Sequence, residues 1–156
     1  MIVTLTIPGK PFAKQRPRAT RQGRIYTPAE TVSFERTVGQ IAARSFPTPL
    51  VGPVRLTVIA TFEPAASWSK KKRAEHLHRM HTQKPDLDNC LKALKDGLNR
   101  IAWADDSQVA EVIARKVWGL QPQTVVHVEP VGPEQQDDNW QSIGQLALGL
   151  AGRAAE

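Results

Sequence analysis

The stretch Lys84-Pro85-Asp86-Leu87-Asp88-Asn89-Cys90-Leu91-Lys92-Ala93-Leu94-Lys95-Asp96-Gly97-Leu98-Asn99-Arg100-Ile101 decides how the rest of the chain is read. Leu91, Leu94, Leu98 and Ile101 share one stripe at helical spacing, so a helix with a buried face is expected from about Asn89 to Ile101. Asp88 or Asn89 is placed to cap it. Asp86 and Asp88 stand two apart in extended or turn backbone, a spacing that points both carboxylates to one side. Such a pair suits Mg²⁺ or Mn²⁺, which prefer oxygen ligands and fill their remaining positions with water and substrate phosphate.

These acids stand out because the chain is basic, with a net charge of +6 over 156 residues. The excess is clustered, which favours nucleic acid over anionic lipid as the partner. One cluster is the loop from Gly9 to Arg24, with Lys10, Lys14, Arg16 and Arg18 and no acid, broken by Pro11 and Pro17. Proline stiffening at Arg16-Pro17-Arg18 lowers the entropy lost when guanidinium groups meet phosphate. A second cluster holds Lys70, Lys71, Lys72, Arg73 and Lys84. There Ser67 or Ser69 is expected to cap an exposed helix reaching Met80. His76, His78 and His81 lack partners at zinc-ligand spacing and read as surface histidines near DNA.

Working outward, residues 2–7 alternate as a strand. Thr27 and Pro28 open a helix running to Phe46, with Val32, Phe34, Val38, Ile41 and Ala42 at helical spacing. Residues 53–62 alternate as a β-branched strand. Strands follow near 109–118 and 124–128, with Gly119–Pro122 expected to join them as a hairpin. The fold class is therefore α+β: a single domain, a small mixed β-sheet packed by two main helices, over residues 1–130. Residues 131–156 form a C-terminal extension in which Trp140, Ile143, Leu146 and Leu150 suggest a short amphipathic helix.

Lys92 follows Asp88, and Asp96 follows Lys92, at i+4, giving either a solvated ladder on the helix or a lysine held beside the metal carboxylates. Asp105-Asp106 lies beyond the helix, which at about 13 residues is on the order of 20 Å long. Either residues 102–106 double back along it, or a two-fold partner brings its own Asp106 to Asp86 and Asp88. A homodimer is expected in both cases.

Cys90, the single cysteine, reads as a small apolar filler and suits a reducing compartment. No run approaches the roughly 20 apolar residues of a membrane span, and the N-terminus lacks a signal-peptide core. No membrane partner or organic cofactor is expected.

Pro8-Gly9-Lys10-Pro11, Lys14-Gln15-Arg16-Pro17-Arg18, Lys84-Pro85-Asp86-Leu87-Asp88-Asn89 with Lys92 and Asp96, and Trp103-Ala104-Asp105-Asp106-Ser107-Gln108-Val109 together resemble the RusA family of Holliday junction resolvases, particularly its phage and prophage members. The resemblance spans roughly residues 2–130. It implies a homodimeric, Mg²⁺-dependent endonuclease, with Mn²⁺ as a substitute, that makes paired nicks in four-way DNA junctions and leaves 5′-phosphate and 3′-hydroxyl ends. By motif it implies that the catalytic residues are Asp86, Asp88, Lys92 and Asp106, the metal carboxylates Asp86, Asp88 and Asp106. It also implies a cytoplasmic setting in a bacterial or phage-infected cell. Asp105 is then a capping residue or a support for the metal carboxylates.

The chain departs from the family pattern at Cys90, where a bulkier apolar residue is common, in the longer basic segment 67–81, and in the tail. The rival readings are a less selective metal-dependent nuclease and a noncatalytic branched-DNA-binding protein. The second has a physical cost, because carboxylates on a phosphate-binding face weaken DNA affinity unless a cation neutralises them.

Overall fold

The computed structural model describes residues 1–132. The expected tail helix lies outside the described residues. The elements are β1 (Val3–Pro8), β2 (Arg18–Ala19), β3 (Ile25–Tyr26), α1 (Ala29–Ala43), β4 (Val54–Phe62), α2 (Lys70–His76), α3 (Leu87–Leu98), a 3₁₀ turn (Asp106–Gln108), β5 (Val109–Trp118) and β6 (Gln123–Pro130). This is the expected α+β class.

A strictly alternating β4 buries Val54, Leu56, Val58, Ala60 and Phe62 on one face. That face, with Leu5, Ile7, Val126 and Val128 from the neighbouring strands, packs with Val38 and Ala42 of α1 and Leu94 and Leu98 of α3 in one core. The helices cross very closely: a Cβ on Gly97 would stand 2.7 Å from Val38 Cβ. On the other face Arg55 pairs with Glu111 of β5 and, at 3.2 Å, with Glu129 of β6.

The four-stranded sheet has the order β1-β6-β4-β5, with β4 and β5 parallel and the other pairs antiparallel. The hairpin expected at Gly119–Pro122 does not form, because β5 and β6 flank β4 on its two sides. The link crosses the end of β4, where Gly119 N–H donates to Phe62 O at 2.9 Å. A Cβ on Gly119 would lie 2.5 Å from Thr61 Cγ2, so a side chain there would collide with the strand being crossed.

Other boundaries shift for local reasons. Helix α3 begins at Leu87 with Asp86 in the cap position, rather than at Asn89. Pro28, not Thr27, occupies the cap position of α1, whose buried residues include Thr31, Val38 and Ala42 while Val32 faces out. The second basic segment is helical only over α2, capped by Ser69 Oγ on Lys72 N–H. Beyond it the backbone pairs with the edge of β5 instead, through His78 N–H to Trp118 O, Trp118 N–H to Arg79 O and His81 N–H to Lys116 O. The first basic loop, expected without regular structure, carries the two-residue pairing of β2 with β3.

Candidate metal and nucleic-acid site

Asp86 and Asp88 stand at the start of α3, both exposed. Asp86 accepts the Cys90 N–H through its backbone oxygen, which begins the helix, and its side chain makes no capping bond. Among the described residues neither carboxylate has a hydrogen-bond or ion-pair partner, so both keep their oxygens available. Lys92 is exposed one turn beyond Asp88.

Beneath this helix start lies a packed floor. Cys90 is buried beside Ala60, Phe62 and Trp118. Burial pushes its thiol pKa up, with Lys116 acting against that shift and Asp88 and Asp86 adding to it. His81 is 6% exposed, with ring centroids 4.1 Å from Phe62 and 4.2 Å from Trp118. Burial, then Lys116, holds its pKa below the ordinary histidine value. His76 leans on Trp68 at 4.7 Å and engages Lys72 O at 2.7 Å. The expectation of surface histidines is thus corrected for His76 and His81, which pack in an aromatic cluster; of the three, only His78 is exposed.

Several candidate DNA-contacting cations gather at this end of the sheet, near Pro8, Phe62 and Trp118. Lys10 lines a cleft of about 250 Å³ with Phe62, Glu63, Pro64 and Pro122. Lys70, Lys71 and Lys84 are exposed. Lys72 sits 4.1 Å over the Trp68 ring, and Arg73 is 3.9 Å from Glu63. Arg16 and Arg18 are exposed further along the basic loop. Lys14 is different: its backbone N–H donates to Asn89 O at 3.0 Å, and its ammonium bonds Asp96 and, at 3.0 Å, Glu35. It ties the loop to α1 and α3, and Asp96 faces Lys14 instead of extending a ladder from Lys92.

Asp106 occupies the other end of the sheet, just before β5. Its Oδ1 accepts the Trp103 indole N–H at 2.8 Å. Asp105 caps the 3₁₀ turn by accepting Ser107 N–H, and its hydrogen bonding with Ser107 holds its carboxyl below the usual range. Gln108 knots the turn in place, accepting from Ala104 and Asp105 N–H and donating to Leu50 O and Gly52 O. Of the two routes open from the sequence, the backbone does not take the doubling back of residues 102–106 along α3. Trp103 bridges to Leu50, and the turn leads into Val109 beside Val54 at the start of β4. Lys116, whose ammonium touches the residues just before Asp86, lies on the order of 20 Å along β5 from Val109. Among the described residues no group of three or more His, Cys, Asp or Glu side chains is placed to hold a metal ion.

The sequence reading missed Lys116 and the supporting role of Gln108. Lys116 looks like an ordinary charged residue in a strand, and only its register shows that it faces the helices.

Residues 8–129 match the family model described as Endodeoxyribonuclease RusA. The chain belongs to the RusA family. It is also similar to the uncharacterized protein YqaN of Bacillus subtilis (strain 168), 33% identical over 138 residues that cover 83% of this chain and 96% of YqaN. The RusA family is one of endodeoxyribonucleases that resolve Holliday junctions, generally with a divalent metal. Among the described residues no helix is long and apolar enough to cross a membrane.

Proposed function

We propose that this RusA-family chain is a homodimeric, divalent-metal-dependent endonuclease that resolves four-way DNA junctions by paired nicks, with residues 1–130 as the nuclease domain and 131–156 as an extension. Each site combines Asp86, Asp88 and Lys92 of one protomer with Asp106 of its partner. One observation carries this reading: two exposed, unpaired carboxylates stand at the cation-rich end of the sheet, and Asp106 is fixed at the opposite end of β5. The two-fold arrangement supplies what one protomer keeps apart.

The donor set fits Mg²⁺, with Mn²⁺ as substitute, since Asp86 and Asp88 offer hard oxygens that no protein cation occupies among the described residues. When bound, the metal supplies Lewis-acid activation of water and neutralises charge on the scissile phosphate. Asp86 and Asp88 would hold it at the start of α3, and Asp106, oriented by the Trp103 hydrogen bond, would join them from the partner. Lys92 places an ammonium where negative charge grows as water adds to phosphorus and the 3′ oxygen leaves. The products are a 5′-phosphate and a 3′-hydroxyl. Arg16, Arg18, Lys10, Lys70–Arg73 and Lys84 bind the backbone, while Lys14 acts by holding the loop.

The test uses four-way junctions beside linear, forked and flapped DNA, in Mg²⁺ or EDTA. Junction cutting in Mg²⁺ alone, lost in Asp86→Asn and Asp106→Asn with binding retained, is expected. Equal cutting of every substrate would leave a less selective nuclease, and binding without cutting by the parent would leave a junction-binding protein. Variants that cut as well as the parent would refute the site.

A further inference from the structure

Lys116 lies on β5 opposite Ala60 of β4, and Ala60 is 1% exposed on the face the helices cover. A lysine facing that way loses hydration and is costly unless its ammonium finds acceptors. It finds two: Nζ donates to Gln83 O and to Pro85 O, each at 2.6 Å. Its cation also sits 5.9 Å from the Phe62 ring. The carbonyls belong to the loop that delivers Asp86, and Pro85 directly precedes it. On the same strand, the backbones of Lys116 and Trp118 pair with the segment 78–81, so the loop is held on its upstream side as well.

Downstream of Asp86 the chain is fixed by the Cys90 N–H bond to Asp86 O and by Lys14 N–H on Asn89 O. Between these anchors the Lys116 ammonium holds the carbonyls of Gln83 and Pro85, and the backbone of Gln83 also meets the His81 ring. We infer that Lys116 is a positioning residue that holds the Asp86–Asp88 carboxylate pair in place through the two carbonyls before it; the inference rests on the proposed role of that pair in binding metal. An ammonium suits this task, because a neutral side chain would give up one or both charge-assisted bonds.

The experiment uses ¹⁵N-labelled full-length protein without metal. In the parent, the amides of Gln83, Lys84, Asp86 and Asp88 are expected to show order parameters near 0.85, the value of rigid backbone. Lys116→Met should lower them below about 0.6 while leaving α1 and β4 unchanged, and Lys116→Arg should restore them. Should the methionine variant fail to fold, Lys116→Gln is read in the same way. Parent-like values in the neutral variant, or a loss shared equally by α1 and β4, would overturn the inference. In a second arm, Mn²⁺ titration should show affinity about tenfold weaker in Lys116→Met and recovered in Lys116→Arg. A parent that takes up no Mn²⁺ at Asp86 and Asp88 would overturn the metal reading, while the order parameters would still decide whether Lys116 holds the loop.

Discussion

The Trp103 indole nitrogen donates to Asp106 Oδ1 at 2.8 Å, and Trp103 is fully buried. Asp106 is thereby fastened to the core at the end of the sheet remote from Asp86 and Asp88. The proposed site, which uses all three carboxylates, draws Asp106 from a second copy of the chain.

This makes a mixing experiment decisive. Asp86→Asn and Asp106→Asn are each expected to be inactive alone. Mixed and allowed to exchange subunits, they should recover part of the nicking activity, since one site of each mixed dimer regains both wild-type halves. A site built within one chain would give no recovery.

The basic loop separates two kinds of cation. Arg16→Ala with Arg18→Ala should reduce the slope of log K against log salt by about 2, as expected for two lost phosphate contacts. Lys14→Met should leave that slope alone and lower stability by on the order of 1 kcal/mol, since its ammonium serves Asp96 and Glu35 in a partly exposed setting. Binding isotherms at several salt concentrations and urea unfolding distinguish the two.

His81 predicts an acid weakness. Its pKa is held below 6.5 in the fold by burial, Lys116 and Lys10, so the unfolded chain takes up the proton first as pH falls. The stability contributed by the neutral ring is complete above about 6.5 and is lost as pH drops toward and below the lowered folded value. His81→Phe, which keeps an aromatic ring between Phe62 and Trp118, should flatten this loss; thermal melts at pH 7.5 and 5.5 measure the difference.

Gly97 permits the crossing of α1 and α3. Gly97→Ala would set a Cβ against Val38 Cβ and Cγ1 at 2.7 and 2.9 Å, and against Glu35 O at 3.1 Å. Despite alanine's higher helix propensity, the variant should lose about 1–3 kcal/mol through overpacking, measurable by denaturant unfolding.

Much of this was legible locally. Leu94 and Leu98 mark the buried stripe of α3, the β4 alternation survives residue by residue, and the order of basic and acidic motifs led to the family. Periodicity is a property of neighbouring residues, so it can be read without knowing what they pack against. The aromatic packing of His76 and His81 was not legible, because Phe62, Trp68 and Trp118 come from separate parts of the chain.

The sequence by itself determined the main helices and strands to within a few residues, and that Asp86 and Asp88 stand together where α3 begins. Tertiary structure alone decided that β6 crosses to the far side of β4, that Lys14 is spent on Asp96 and Glu35, and that Lys116 reaches Gln83 and Pro85. Strand pairing uses backbone hydrogen bonds that carry little residue identity, so register and order emerge only when the whole sheet closes over its helices. That same register turns Lys116 toward Asp86 and leaves Asp106 at the opposite end of β5.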